Sequence, residues 1–151
     1  EHKHPVTYIS LVGDALHNFI DGVIIAASYI VSIPTGTATT LAVMLHEIPH
    51  ELGNFSILIH GGFSRSKALV FNLLTALTAI IGAILTLWLG SQVQNIQTIL
   101  IPIAAGTFIY IAGSDLVPEL HKHSEKISHA ILQLLAFIAG IAIMALLILL
   151  D

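Results

Sequence analysis

The amino-acid sequence predicts an all-α fold, a polytopic membrane helix bundle with five transmembrane helices in 151 residues. Three observations support this prediction. Hydrophobic residues make up 56% of the chain and charged residues only 9%, whereas a typical soluble domain has about 25% charged residues. The apolar residues form five runs, each long enough for the roughly 20 residues that a helix needs to cross a bilayer. The basic residues occur only in alternate connections between these runs, as the positive-inside rule expects.

The five predicted spans follow one another with only short polar connections between them. They cover approximately residues 6–33, 37–60, 66–90, 97–120 and 128–150. No connection is long enough to form a soluble domain, so we expect one transmembrane domain over residues 1–151. Pro5, Pro34 and Pro118 stand at the ends of runs, where a missing backbone N–H is best tolerated.

The basic residues also predict an orientation. They precede the first run, or lie between the second and third runs or the fourth and fifth: Lys3, Arg65, Lys67, Lys122 and Lys126. Five crossings place these three regions on one side of the membrane and the two uncharged connections on the other. We therefore predict that the N-terminus of this chain lies in the cytoplasm. We also predict a multi-pass protein of the cell membrane, either plasma or inner.

The composition excludes several classes of function. A chain so apolar and so poor in lysine and arginine is neither disordered nor a nucleic-acid binder. The absence of cysteine excludes a disulfide framework and a thiolate metal site. Nine histidines are an excess in such a chain, because ionisable residues inside a membrane usually have a functional task.

Polar residues cluster near the middle of the first two spans. The first span carries HNFIDG at residues 17–22, and the second carries HEIPHE at residues 46–51. His17 and Asp21 are four residues apart, as are His46 and His50, so each pair shares one helix face. Because a short loop joins the two spans, the pairs can meet at the same depth. Imidazoles and a carboxylate in one small volume suit a divalent transition metal such as Zn²⁺.

The remaining polar side chains of the two motifs extend this prediction. Asn18 and Glu47 lie about 100° around their helices from the first pairs and would line an adjoining position with oxygen ligands. Glu51, four residues after Glu47, continues that stripe. Polar residues that merely bridge helices are the alternative. A carboxylate buried in hydrocarbon needs a partner or a cation, however, and no lysine or arginine stands in the interior of a span.

Pro49 stands in the middle of the second span. A proline there removes a backbone donor and frees the carbonyl of Leu45, four residues earlier. Such a break at membrane depth is tolerated where the helix is buried or lines a cavity. A packing kink without a functional role is the alternative.

The motifs HNFIDG and HEIPHELGNF together resemble the ZIP (Zrt/Irt-like) family of divalent metal transporters, in particular the branch with the HEIPHE signature. The run AGTFIYIAGSDLVPEL is similar to the penultimate span of that family, and the resemblance covers the whole chain. ZIP proteins have eight spans, and this chain resembles the fourth to the eighth. We therefore expect it to be the C-terminal part of a longer transporter. One departure is Asn54, because members of this branch usually read HELGDF.

The resemblance implies a ligand set and a path for the metal. One site corresponds to His17, Asp21, His46 and His50, an adjacent one to Asn18 and Glu47, and an inner polar ligand to Asp115. Together with Glu51, these are the eight predicted metal ligands. The metal would leave the midplane toward Asp14, Asp115 and Glu119. We expect Zn²⁺ as bound substrate, Fe²⁺ or Mn²⁺ as alternatives, no organic cofactor, lipid as surroundings and a homodimer.

The sequence therefore predicts transport of a divalent metal into the cytoplasm and no enzymatic activity. An intramembrane zinc protease is the alternative, because residues 46–50 match HExxH literally. Glu47 would then be the general base, and another helix would supply the third zinc ligand. Pro49 inside the motif argues against this alternative, as do Asn18, Asp21 and Glu51, which exceed what one catalytic zinc needs.

Overall fold

The computed structural model describes residues 5–90, 92, 97–111, 113 and 127–149. In chain order the helices are α1 (Pro5–Val31), α2 (Ile33–His60), α3 (Arg65–Ala76), α4 (Thr78–Gly90), α5 (Gln97–Ile111) and α6 (Ile127–Leu149). The described part of the chain contains no β-strand, and the prediction of an all-α fold is confirmed.

α1 and α2 form a hairpin with one residue, Ser32, between them. Ser32 is extended, with φ −161° and ψ 158°, and its side-chain oxygen accepts the Thr35 N–H at 3.2 Å. This hydrogen bond satisfies one of the backbone N–H groups that have no partner within the helix at its start. Pro34, in the same first turn, has no N–H that needs a partner. At the far end of α2, Gly61 caps the helix, and Gly62 has φ +93°, a conformation that favours glycine. The tight hairpin holds the middles of α1 and α2 side by side.

The third predicted span is interrupted at Leu77, between α3 and α4. The Thr75 hydroxyl donates to the carbonyl oxygen of Asn72 at 2.9 Å, and the Thr78 hydroxyl donates to the carbonyl oxygen of Ala15 at 2.7 Å. Hydroxyl bonds of this kind compete with the helical ladder and often bend a helix. The sequence pattern predicted one continuous run here, because apolar periodicity does not register such side-chain bonds to the backbone.

α1 is the central helix and packs against α2, α3, α4 and α5. Its approach to α4 is closest at two glycines. A Cβ atom at Gly22 would collide with the carbonyl oxygen of Ala79, and one at Gly82 would collide with the carbonyl oxygen of Phe19. Small residues allow helix backbones to come this close. The contact anchors the part of α1 that carries the HNFIDG motif.

Two helical stretches are long and apolar enough to cross a bilayer: Thr7–Val31 in α1, and Arg65–Gly90, which covers α3 and α4. Shorter apolar helical stretches are Thr98–Thr107 and Ile127–Ile143. α2 is long enough at 28 residues but carries the polar HEIPHE motif in its middle. Large apolar side chains point outward, for example Phe137 with 62% of its surface exposed. Such an outer surface suits a lipid environment.

Candidate metal centre

Four side chains from α1 and α2 meet in the middle of the hairpin. His17 and Asp21 come from α1, and His46 and Glu47 come from α2. One ligand atom from each lies within 4.8 Å of the other three. We call these residues the four-residue cluster. Asp21 and His46 are buried, and His17 and Glu47 are half-buried.

The distances in this cluster resemble those between the ligands of a tetrahedral zinc site. Glu47 Oε1 lies 3.0 Å from His17 Nε2 and 3.2 Å from His46 Nε2. Asp21 Oδ2 lies 3.2 Å from His46 Nε2 and 3.7 Å from His17 Nε2. Zinc bonds of about 2.0–2.2 Å in a tetrahedron place neighbouring ligand atoms roughly 3.3–3.6 Å apart. The four side chains can therefore surround one Zn²⁺ with only small movements.

The ring of His46 is oriented by the backbone of its own helix. Its Nδ1–H donates to the carbonyl oxygen of Ala42 at 3.2 Å. This bond turns Nε2 toward Asp21 and Glu47. Histidines that bind metal typically donate their other ring N–H to a carbonyl or carboxylate in this way, which fixes the tautomer and the ring orientation.

The charges of the cluster also favour a cation. Asp21 is 1% exposed, and its Oδ1 has no hydrogen-bond partner among the described residues. Within the same described ranges, no lysine or arginine lies within ion-pairing distance of Asp21 or Glu47. A buried carboxylate without a compensating charge costs several kcal/mol. A divalent ion bound between the two carboxylates would remove this cost.

A second group of polar side chains adjoins the cluster one helical turn away. The Asn18 amide donates to Asp14 Oδ1 and to Glu51 Oε1, at 3.3 Å in each case. The Asn54 amide also donates to Asp14 Oδ1, and His50 Nδ1 lies 3.6 Å from the same oxygen. We call Asp14, Asn18, His50, Glu51 and Asn54 the Asp14 group.

His50 lies between the two groups. Its Nδ1 is 3.9 Å from Glu47 Oε1, and its ring stacks on that of His17 with 4.3 Å between centroids. The sequence placed His50 with His17, Asp21 and His46, and placed Glu47 in the adjoining position. In the structure Glu47 completes the four-residue cluster, while His50 turns toward Asp14. Helical spacing defines a face of each helix but does not define how the two faces are rotated against each other.

Seven of the eight predicted ligands lie in these two groups, and Asp115 lies outside the described residues, as does Glu119. Asp14 and Asn54 were not among the predicted ligands. One sequence signal for Asp14 exists, because it precedes Asn18 by four residues and therefore shares its helix face. The assignment of all these residues as metal ligands stays a prediction.

The chain is similar to known proteins over nearly its whole length. The family model described as ZIP Zinc transporter matches residues 2–148. The zinc transporter foi of Drosophila melanogaster is 41% identical over 146 residues, which is 97% of this chain and 20% of that protein. Zinc transporter ZIP13 of Danio rerio is 41% identical over 142 residues, which is 93% of this chain and 40% of that protein.

A human relative gives the same result. Zinc transporter ZIP10 of Homo sapiens is 37% identical over 147 residues, which is 92% of this chain and 18% of that protein. The chain thus spans between about a fifth and two fifths of the length of these curated relatives. No solved structure matches it. A family match over nearly the whole chain shows that it belongs to the ZIP family of membrane transporters.

Proposed function

We propose that the transporter to which this chain belongs carries Zn²⁺ across a membrane into the cytoplasm, with the four-residue cluster of this chain as its binding site. One observation carries the proposal: the nitrogen and carboxylate oxygen atoms of the cluster are spaced like the ligands of a tetrahedral zinc ion. The names of the relatives, all zinc transporters, support Zn²⁺ as the substrate. Fe²⁺ and Mn²⁺ are the alternative substrates, because imidazole and carboxylate ligands also bind these ions.

The charge of the cluster suits an ion that must be bound and then released. Zn²⁺ would exchange its water shell for the imidazoles of His17 and His46 and the carboxylates of Asp21 and Glu47. The two carboxylates balance the double charge of the ion, so the occupied site would be neutral overall. A neutral site reduces the cost of holding an ion away from water. Exposing such a site to one side and then to the other is the general scheme of secondary transporters.

The zinc protease alternative is not supported. The chain belongs to a family of transporters, and the geometry of the motif also differs from what such an enzyme needs. Both histidines of HExxH must bind the same zinc ion. Here His46 belongs to the four-residue cluster, whereas the Nδ1 atom of His50 faces Asp14 Oδ1 at 3.6 Å.

The distribution of basic residues supports a cytoplasmic N-terminus for this chain. Its location in the plasma or inner membrane stays a prediction. The short connections support a single transmembrane domain over residues 1–151. The homodimer and the lack of an organic cofactor stay predictions.

Zinc uptake into liposomes that contain the purified full-length transporter tests the proposal. His46→Ala should lower uptake at least about tenfold, because loss of an outer-shell partner alone typically costs 10–100-fold in metal affinity. His60→Ala is the matched control. It removes an exposed imidazole from the end of the same helix, where His60 Nδ1–H donates to the carbonyl oxygen of Ser56. Uptake by His46→Ala equal to that of the unmodified protein would contradict the proposed site.

A further inference from the structure

Arg65 and Lys67 are the only arginine and lysine in the part of the chain that the structure describes. Both side chains are exposed, and within that part neither forms an ion pair with a carboxylate. They stand at one end of the stretch Arg65–Gly90, which is long and apolar enough to cross a bilayer. Basic side chains at the end of a span lie at the depth of the lipid headgroups. Two positive charges there are available to an anionic group.

A cavity of about 280 Å³ opens next to Lys67. Its lining residues are Ser66, Lys67, Val70 and Phe71, and its wall is mostly apolar. Lysine commonly lays its methylene stem along an apolar surface while its ammonium group reaches polar surroundings. The cavity therefore combines an apolar wall with one ammonium group and one hydroxyl group.

The wall of this cavity is held in place by a buried hydrophobic cluster. Phe71 packs against that cluster, which includes Phe63 and Ala68, and the rings of Phe63 and Phe71 meet edge to face with 5.3 Å between centroids. The start of α3 is fixed as well, because the Ser64 side chain accepts the Lys67 N–H at 3.4 Å and its carbonyl oxygen accepts the Ala68 N–H at 2.9 Å. A preformed site loses less binding free energy to ordering.

We propose that this cavity binds an anionic phospholipid, with an acyl chain against Val70 and Phe71 and the phosphate at the ammonium group of Lys67. A phospholipid joins an apolar chain to a charged phosphate, which lysine binds well. Arg65 does not line the cavity, but its charge adds to the positive potential at this end of α3. The basic residues predict that this end is cytoplasmic, and the cytoplasmic leaflet is the one that carries anionic lipids. A free phosphate ion would leave the apolar wall without a partner.

Native mass spectrometry of the full-length transporter in detergent can measure the binding of added lipid. The probe is phosphatidylglycerol, compared with phosphatidylcholine of the same acyl chains and with glycerol phosphate. Phosphatidylglycerol should bind more tightly than either. Lys67→Gln should weaken its binding about fivefold, the usual contribution of one basic residue at a membrane surface. Lys122→Gln is the charge-matched control, because it removes a lysine predicted on the same side of the membrane and should leave binding nearly unchanged.

Val70→Trp tests the apolar wall without changing any charge. The larger side chain fills the cavity, so it should weaken phosphatidylglycerol binding at least as much as Lys67→Gln. Leu69→Trp is the control, because Leu69 lies on the same helix, is 60% exposed and does not line the cavity. Equal losses in Lys67→Gln and Lys122→Gln would overturn the proposal, since charge alone would then attract the lipid. Glycerol phosphate binding as tightly as the lipid would also overturn it.

Thermal unfolding of the same full-length variants without added lipid tests whether protein fills the cavity instead. Val70→Trp and Leu69→Trp should unfold at the same temperature, because both residues are exposed on α3. A lower unfolding temperature for Val70→Trp would show that another segment of the transporter occupies the cavity, and this would overturn the lipid site.

Discussion

Glu47 contacts both imidazoles of the four-residue cluster through one oxygen atom. Its Oε1 lies 3.0 Å from His17 Nε2 and 3.2 Å from His46 Nε2. Glu51, one turn later on the same helix, has a different environment, because its Oε1 accepts from the Asn18 amide. Glu47 and Glu51 have the same chemistry. Replacing Glu47 should nevertheless weaken binding of the first zinc ion, whereas replacing Glu51 should not.

Replacing Glu47 by glutamine should weaken binding of the first Zn²⁺ at least about tenfold, equivalent to about 1.4 kcal/mol. The amide keeps the shape of the side chain but removes one of the two negative charges at the ion. Glu51→Gln is the matched control and should leave the first binding event nearly unchanged. Isothermal titration of the purified protein with Zn²⁺ measures both. Equal losses in the two variants would show that the carboxylates act together rather than at separate sites.

Part of this site could be predicted residue by residue. The spacing of His17 with Asp21, and the position of His46 at the middle of the next helix, predicted that imidazole and carboxylate would meet. The exchange of roles between Glu47 and His50 could not be predicted, because the rotation of α2 against α1 depends on packing across the hairpin. The burial of Asp14 could not be predicted for a related reason. The amides of Asn18 on α1 and Asn54 on α2 both donate to its Oδ1, an arrangement that only the packed hairpin defines.

At the level of helices, α1 owes its position to glycine contacts with α4. A Cβ atom on Gly22 would collide with the backbone of α4. A Cβ atom on Gly82 would collide with the backbone of α1. Both contacts involve a main-chain carbonyl, which cannot move aside like the end of a flexible side chain. Which backbone atoms these two glycines meet is a property of the folded bundle and does not follow from the sequence pattern.

Gly22→Ala and Gly82→Ala should each destabilise the protein by about 1–3 kcal/mol, the usual cost of forcing extra atoms into a packed interface. Gly13→Ala on α1 is the control, because a Cβ there meets nothing within 4 Å. That change should be neutral or should stabilise slightly, since alanine favours a helix by roughly 1 kcal/mol over glycine. Thermal unfolding in detergent, followed by circular dichroism, compares the three. Gly22→Ala unfolding at the same temperature as Gly13→Ala would contradict the close contact.

At the scale of the whole molecule, helices arise where the five apolar runs predicted them. Composition and run length were sufficient to predict these helices. Polar groups are costly in lipid, so a segment that crosses a bilayer must be apolar and must satisfy its backbone hydrogen bonds as a helix. The interruption at Leu77 was missed, since apolar run length does not register hydroxyl bonds to the backbone such as those of Thr75 and Thr78. The end of the fourth predicted run lies outside the described residues.

The orientation of the bundle leads to a labelling experiment. The connection that holds Arg65 and Lys67 should be cytoplasmic, and the connection that holds Gln92 should be outside, because only the first is basic. In intact cells a membrane-impermeant maleimide should therefore label Gln92→Cys and not Lys67→Cys. After the cells are opened, both should react. Labelling of both variants from outside would contradict the predicted crossings.

Zinc X-ray absorption of the purified protein, loaded with one Zn²⁺ per chain, tests the four-residue cluster as the zinc site most directly. The four-residue cluster predicts a four-coordinate ion with two imidazoles and two carboxylate oxygens at about 2.0–2.2 Å. The same measurement on His46→Ala should show one imidazole fewer, while His60→Ala should leave the spectrum unchanged. A six-coordinate shell of oxygen atoms without imidazole in the unmodified protein would contradict the assignment of this cluster as the zinc site.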